Sequence, residues 1–261
     1  MKTLRDLAIL LLVFGGIWIA FTYWPVSSFK TDSTTDLTFG NEDKLADLMR
    51  DQIENKYEEL EDSLVVADID LIFQRIVSHL DSPKYKYNIS LLESSEVNAF
   101  ATFNGDVYIL SGLIKFAETP EEVAAVLAHE IGHHEKQHVQ KRLVKELGLT
   151  VLLAIATGGD PGVISEVFKM VMSTKFDRGQ EKEADNFAYQ LLEKSGINPN
   201  HMATFFIRMK REKNELDQEL QFISTHPANK ERIQDAIEYK LADDFKEVSI
   251  GIDWSKVKEH L

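Results

Sequence analysis

The 261-residue chain contains no cysteine. This absence excludes disulfide bonds, iron–sulfur clusters and thiol catalysis, and it leaves histidine, aspartate and glutamate as the strong metal ligands. Basic residues are also scarce, because 29 Lys and Arg stand against 43 Asp and Glu, for a formal net charge of -14. Phosphate contacts need clustered Lys and Arg, so we expect no nucleic-acid partner.

One long uncharged run interrupts this polar composition, and it lies near the N-terminus. Leu7 to Trp24 is 18 residues long, just enough to cross the hydrocarbon core of a membrane. Lys2 and Arg5 precede the run, so the positive-inside rule predicts a cytoplasmic N-terminus and a body across the membrane. A cleavable signal peptide is the alternative reading, although no A-x-A-like cleavage site is evident.

The rest of the chain divides into a linker and one domain. Residues 25–40 are polar and rich in Ser, Thr and Asp, as linkers are, and residues 41–261 can form one substantial core. Apolar residues at helical spacing predict two helices from Asn41 to about Leu80. Strand-like alternation follows, and Asn104-Gly105 signals a type I′ hairpin turn. We predict an α+β fold, mainly helical, with a small sheet beside the motif helix described next and one N-terminal transmembrane helix.

The most informative motif is the HExxH pattern of zinc peptidases, which occupies residues 129–133. Positions i and i+4 lie on one face of a helix, so His129 and His133 can bind the same metal ion. Glu130 follows the first of these ligands and can act as the general base toward the attacking water. The pattern therefore predicts a metal site with a catalytic carboxylate beside it.

The helix that carries the motif has a clear start and further polar residues near its end. Thr119 can be the N-cap, and Glu122 completes a T-x-x-E capping box. Beyond the motif, we expect His134 to be solvated and His138 to be structural or to support a ligand. Glu183, further along the chain, is also expected to be solvated.

A tetrahedral zinc site with two histidines needs a third protein ligand and one open position. An extended metzincin motif would require glycine and histidine where this chain has Lys136 and Val139. The gluzincin alternative takes a glutamate from a downstream helix, here predicted from about Arg178 to Ser195. Glu181 is the predicted third ligand of one Zn²⁺ per subunit. Asp185, four residues later, can accept the remaining ring N–H of a liganding histidine.

Four motifs in order resemble the HtpX/BepA-type gluzincin zinc metallopeptidases, relatives of the CAAX prenyl endopeptidases and of the mitochondrial inner-membrane quality-control peptidase. The motifs are NAFA before the hairpin, HEIGHHEKQH, DRGQEKEAD, and THP with an arginine five residues further on. The similarity extends from about Glu93 to Ile233. It implies the same zinc ligands, the same base and the same role for the aspartate.

The resemblance adds two residues near the metal. A histidine of the THP element lies there in some members of the family, which implies His226, with Arg232 further along. Both are candidate donors to the developing oxyanion. His226 has two other possible roles, either as a fourth zinc ligand that holds the enzyme latent or as a purely structural residue.

These features predict a membrane-tethered zinc endopeptidase that hydrolyses misfolded or unassembled envelope proteins. It would be a single-pass inner-membrane protein with a periplasmic or otherwise extracytoplasmic catalytic domain, and polypeptides would be its partners. Residues 98–100 are a candidate edge for binding an extended peptide, or else part of an ordinary core hairpin. The alternative function is a membrane-anchored chaperone or scaffold with a structural zinc site.

Overall fold

The computed structural model describes residues 42–143, 145–146, 161–173, 175–212 and 219–261. The predicted membrane segment (1–24) and the predicted linker (25–40) lie outside these residues. Within the described ranges, no helix is both long and apolar enough to cross a membrane.

The described residues are mainly helical with one small sheet, as predicted. In chain order the elements are α1 (Glu42–Glu54), β1 (Glu58–Glu59), α2 (Ser63–Val77), β2 (Asn88–Glu93), β3 (Ala99–Ala101), β4 (Asp106–Leu110), α3 (Ser111–Phe116), α4 (Pro120–Glu135), α5 (Pro161–Met172), α6 (Arg178–Lys194), α7 (Asn200–Glu212), α8 (Gln221–Thr225), α9 (Lys230–Glu238) and α10 (Trp254–Glu259). Residues 138–143 are also helical. Helices α1 and α2 are the pair predicted from Asn41 to about Leu80, with the short strand β1 between them.

The sheet has four strands in the order β1-β2-β4-β3, with β2 and β4 parallel and the other two pairings antiparallel. Strands β3 and β4 form the predicted hairpin. Asn104 and Gly105 at its turn have φ angles of 56° and 88°, the left-handed values that a type I′ turn requires. Because β3 is last in the strand order, it forms one edge of the sheet.

Helix α4 runs through the middle of the domain and carries the HExxH motif. Every residue from Val123 to His134 is buried, so the helix has no solvent-facing side over that stretch. Its neighbour α6 approaches very closely at Gly132, where an added Cβ would lie 2.8 Å from the carbonyl oxygen of Ala184. The small side chain of Ala184 permits this approach. The main core lies around α4 and includes residues of α2, α6 and α7.

The start of α4 departs from the prediction in one respect. Thr119 caps the helix as predicted, because its side chain accepts a hydrogen bond from the backbone N–H of Glu122. The prediction of a full capping box is wrong, because the Glu122 carboxylate accepts a hydrogen bond from the N–H of Glu118 and not from that of Thr119. Glu122 is buried and pairs with Arg208 of α7, and it also accepts from the Thr204 hydroxyl. The carboxylate thus ties α7 to the start of α4.

Helix α6 begins and ends within a residue of its predicted bounds. Asp177 caps it and forms a capping box with Gln180, which fixes the direction in which the helix leaves the preceding segment. Gly196 follows the last turn with a φ of 69°, the left-handed conformation that ends many helices. The i, i+4 carboxylates of this helix therefore face α4.

Candidate active site

Four buried side chains converge where α4, α6 and the end of α8 meet. One ligand atom from each of His129, His133, Glu181 and His226 lies within 4.8 Å of the others. The Nε2 atoms of His129 and His133 are 3.0 Å apart, and Oε1 of Glu181 lies 3.4 Å from Nε2 of His133. Imidazole nitrogens and a carboxylate oxygen are the donors that a catalytic zinc uses, so these residues fit a zinc ion.

A carboxylate and a guanidinium lie behind the cluster. Oδ1 of Asp185 is 2.9 Å from Nδ1 of His129, near enough to orient that ring. Arg232 binds Asp185 through Nε and Nη2 at 2.6 and 2.8 Å, contacts Glu181, and donates to the carbonyl of Pro227. Burial opposes the charge on Asp185, but Arg232 and His129 hold its pKa below the usual range. The guanidinium thus neutralises two carboxylates, an arrangement that does not favour an oxyanion role for Arg232.

Glu130 lies beside the cluster. Nε2 of His226 lies 3.5 Å from Oε1 of Glu130, and the backbone N–H of Ala101 in β3 acts to lower the pKa of the carboxyl. Burial raises the pKa of Glu130 above its usual range, and the charges on His226 and His129 offset that effect only in part. A carboxyl with a raised pKa is a better proton acceptor than an exposed one.

His226 ends α8 and reaches into the cluster. Its Nδ1 is 3.0 Å from Oε1 of Glu181 and 3.2 Å from Nε2 of His129. The ring stacks on Phe222, with the centroids 4.6 Å apart. Burial opposes protonation, but Glu181 and Glu130 raise the pKa of His226 above its usual value. The position is compatible with a fourth metal ligand.

The prediction that His134 is solvated is wrong. The ring is 1% exposed, and its Nε2 accepts a hydrogen bond from the backbone N–H of Gly105 at 3.2 Å. Tyr85 and Tyr87 pack edge-on against it, with ring centroids 4.2 and 5.5 Å away. Burial lowers the pKa of His134 to about 4, so the ring is neutral and holds the hairpin turn against α4.

His138 and Glu183 are also close to the cluster. Nδ1 of His138 lies 2.9 Å from Nδ1 of His133, and its Nε2 lies 3.2 Å from Oε2 of Glu183. His138 is buried, which agrees with the prediction of a structural or supporting residue. The Glu183 side chain is 60% exposed, so the expectation that it is solvated is confirmed.

Phe176 covers the cluster, and the sequence reasoning did not single it out. Its ring stacks on His133, with the centroids 3.8 Å apart and the planes 30° from parallel. The only sequence signal was an aromatic residue directly before Asp177, the cap of α6. The remaining apolar wall includes Val139, Val171 and Met172, and the cavity at the cluster is about 20 Å³. A larger cavity of about 780 Å³ is lined by other residues, among them Lys115, Arg208 and Lys258.

The edge strand β3 also lines the small cavity. Leu110 donates its N–H to the carbonyl of Asn98, so this pair is hydrogen-bonded. Bonded pairs alternate along an antiparallel ladder, so the N–H and C=O groups of Ala99 and Ala101 point away from β4. Oδ1 of Asn98 is buried and has no hydrogen-bond partner among the described residues. The edge therefore offers backbone groups and one side-chain acceptor.

Comparison with known proteins agrees with this geometry. A family model described as Peptidase family M48 matches residues 63–240, which is more than half of the chain. The beta-barrel assembly-enhancing protease of Escherichia coli K12 is 28% identical over 222 residues, which cover 79% of this chain and 45% of that protein. Metalloprotease LoiP of the same organism is 34% identical over 166 residues, which cover 61% of this chain and 65% of that protein. The mitochondrial metalloendopeptidase OMA1 of Schizosaccharomyces pombe is 27% identical over 166 residues, which cover 62% of this chain and 49% of that protein.

Proposed function

Because the chain belongs to peptidase family M48, we propose that it is a zinc-dependent endopeptidase tethered to a membrane by its N-terminal segment. The family match and the relatives confirm the resemblance to HtpX/BepA-type metallopeptidases. The substrates would be misfolded or unassembled envelope proteins, a proposal supported by the name of the Escherichia coli relative, which refers to beta-barrel assembly. The observation that carries the proposal is the buried convergence of two histidines and a glutamate beside a second buried glutamate.

In this proposal His129, His133 and Glu181 hold one zinc ion. Bound zinc supplies Lewis acidity, which lowers the pKa of a water molecule and polarises the oxygen of a peptide carbonyl. Asp185 holds the ring of His129 in one tautomer through Nδ1, and Arg232 holds Asp185 and Glu181 in place. These two residues would therefore act by positioning the ligands.

Glu130 would take the proton of the attacking water and later deliver it to the leaving amine. Burial supports this role because it raises the pKa of the carboxyl, which brings proton affinity closer to what the reaction needs near neutral pH.

An extended peptide would bind along β3 as an added strand. Main-chain hydrogen bonds to an exposed sheet edge are a common mode of peptide recognition. Ala99 supplies an outward-facing N–H and C=O, and Oδ1 of Asn98 can accept a peptide N–H because it has no partner among the described residues. This position is beside Glu130, so a peptide bound there lies next to the base.

His226 would hold the resting enzyme closed as a fourth metal ligand and leave the cluster when substrate binds. Its Nδ1 lies with the other ligand atoms, which supports this role. Once displaced, its ring could serve as the donor to the oxyanion, because Nε2 already faces Glu130. The set of four candidate ligands also supports the alternative function, a chaperone or scaffold with a structural zinc site. Structural zinc sites use four protein ligands and keep no open position.

Glu130→Gln tests the function. The variant should bind one zinc per chain, measured by mass spectrometry, and lose casein cleavage, because the amide cannot accept the proton. Glu166→Gln is the control, since this α5 side chain is 68% exposed. A parent protein that binds zinc but cleaves neither casein nor any unfolded protein would support the scaffold. A Glu130→Gln variant as active as the parent would contradict the assignment of the base.

A further inference from the structure

Among the residues that the structure describes, the outward nitrogen of His133 reaches a carboxylate only through a second imidazole. Nδ1 of His133 lies 2.9 Å from Nδ1 of His138, and Nε2 of His138 lies 3.2 Å from Oε2 of Glu183. The His138 side chain is 1% exposed, whereas that of Glu183 is 60% exposed on α6. The three side chains form a continuous hydrogen-bonded chain from the protein surface to the cluster.

The proton positions along this chain follow from the chemistry of imidazole. A ring nitrogen that binds a metal ion carries no proton, so a neutral His133 with Nε2 in the cluster carries its proton on Nδ1. That N–H needs an acceptor, and the adjacent nitrogen is Nδ1 of His138. His138 must then carry its own proton on Nε2, which it donates to Glu183.

The other histidine of the motif is oriented more directly. Nδ1 of His129 lies 2.9 Å from Oδ1 of Asp185, a buried carboxylate that Arg232 holds on its far side. His133 has the same need for an acceptor, but its carboxylate lies at the surface and His138 spans the distance. His129 is therefore oriented by one buried carboxylate, whereas His133 is oriented by a longer chain of hydrogen bonds that ends at an exposed carboxylate.

We propose that His138 and Glu183 are positioning residues of the metal centre. His138 accepts the proton of His133, and Glu183 holds His138 in the tautomer that can do so. The inference rests on the proposed function, because it takes His133 as a zinc ligand. Groups that orient liganding histidines typically change metal affinity or activity by about 10- to 100-fold when they are removed.

Two substitutions of His138 test the proposal with zinc alone as the probe. His138→Phe keeps the ring but removes the acceptor, so competition with a chromophoric chelator should show zinc binding about 10- to 100-fold weaker. His138→Asn should retain most of the affinity, because its amide oxygen can accept the His133 proton. If His138 had only a structural role, zinc affinity would not differ between the two variants in this way. Unfolding of the zinc-free proteins, measured in parallel, reports the structural cost of each substitution.

Substitutions of Glu183 provide a second test that does not disturb the core. Glu183→Ala should weaken zinc binding, whereas Glu183→Gln should retain it, because the amide oxygen can still accept from His138. Asn186→Ala, at an exposed position of the same helix, is the control. If His138→Phe does not fold, the comparison of Glu183→Ala with Glu183→Gln tests the positioning role by itself.

The outcomes separate this inference from the proposed function. Parent-like zinc affinity in both His138→Phe and Glu183→Ala would overturn the inference and leave the proposed function standing. Equal losses in His138→Phe and His138→Asn would also overturn it. A parent protein that binds no zinc would overturn both proposals.

Discussion

The charged residues of the site can be buried only because each one has a partner. Glu181 and Asp185 are both 3% exposed, and a carboxylate at such a depth is strongly disfavoured in isolation. Arg232 contacts both carboxylates, and its planar guanidinium makes two parallel hydrogen bonds to Asp185. The cost of removing this one cation therefore exceeds the cost of removing any single hydrogen bond.

Arg232→Met should destabilise the zinc-free protein by about 3–5 kcal/mol, because it leaves buried carboxylates without their cation. The measurement is urea denaturation of the chelated protein, since bound metal would stabilise the fold by itself. Arg211→Met removes a guanidinium whose side chain is 70% exposed and whose ion pair should contribute no more than about 1 kcal/mol. A loss for Arg232→Met no larger than that of Arg211→Met would contradict this account of the site.

The site residues differ in how far the sequence could predict them. The positions of His129 and His133 follow from helix geometry, which puts i and i+4 on one face. The burial of His134 could not be predicted, because it depends on Tyr85 and Tyr87, which reach α4 only after the hairpin has packed. Phe176 was missed for the same reason, since no local pattern shows which aromatic residue will cover a metal cluster.

At the scale of secondary structure, the distance between α4 and α6 sets the geometry of the cluster. One helix contributes the two histidines of the motif and the other contributes Glu181, so any change in their separation moves the ligands apart. The contact at Gly132 leaves no room for a side chain, because a Cβ there would lie 2.8 and 3.1 Å from the backbone oxygen and Cα of Ala184.

Gly132→Ala should therefore push the two helices apart. We expect a loss of about 1–3 kcal/mol in the free energy of unfolding, as for other overpacked cores, together with weaker zinc binding. Ala184→Gly should not rescue the variant, because the clashing atoms belong to the backbone of residue 184. Chemical denaturation and chelator competition would measure the two effects. Recovery of zinc affinity in the double variant would show that the contact is more adaptable than the structure indicates.

Helix α5 and the segment that follows it close the site. The cavity at the cluster is about 20 Å³, room for about one water molecule, so a peptide cannot enter without movement. Phe176 covers the cluster by stacking on His133. The energy needed to open the site therefore includes the loss of this contact.

Phe176→Ala should raise kcat/KM for an unfolded substrate, because less contact is lost when the site opens. Zinc affinity should change much less, since the ring is not a ligand. Phe187→Ala, a half-buried aromatic residue of α6 that packs near Lys136, is the matched control. Lower activity in Phe176→Ala with unchanged zinc affinity would indicate that the ring contacts the substrate instead of covering an empty site.

Local elements were predicted better than long-range pairings. The hairpin turn, the start of α4 and the end of α6 follow from neighbouring residues, namely Asn104-Gly105, Thr119 and Gly196. The parallel pairing of β2 with β4 and the two-residue strand β1 could not be predicted. Those contacts depend on how separate parts of the chain pack, which no short window of sequence contains.

At the scale of the whole molecule, the site is assembled from three segments that are far apart in the chain. His129 and His226 are 97 residues apart in sequence, yet their ring nitrogens lie 3.2 Å from one another. Such a site forms only after the core around α4 has packed, because α6 and the end of α8 must both be in place. A metal bound there would therefore stabilise the folded domain as a whole.

The location of the enzyme depends on residues 1–24, for which the sequence alone supplies the argument. An uncharged run of 18 residues behind Lys2 and Arg5 predicts an uncleaved span with the catalytic domain outside the cytoplasm. The full-length protein, expressed in a bacterium with two membranes, should remain in the membrane pellet after alkaline carbonate extraction. Protease added to spheroplasts should digest the domain, while a cytoplasmic marker protein survives as the control.

A cleaved signal sequence predicts a different result in the same experiment. The mature protein would appear in the soluble periplasmic fraction, and its N-terminal sequence would begin after the apolar run. Phe14→Arg tests the span itself, because residue 14 lies near the middle of the run and a charge near the centre of a span costs about 2.5–3.5 kcal/mol for insertion. An anchored enzyme with this substitution should lose its membrane association yet still cleave casein in detergent-free extracts, since the charge lies outside the residues that form the candidate site.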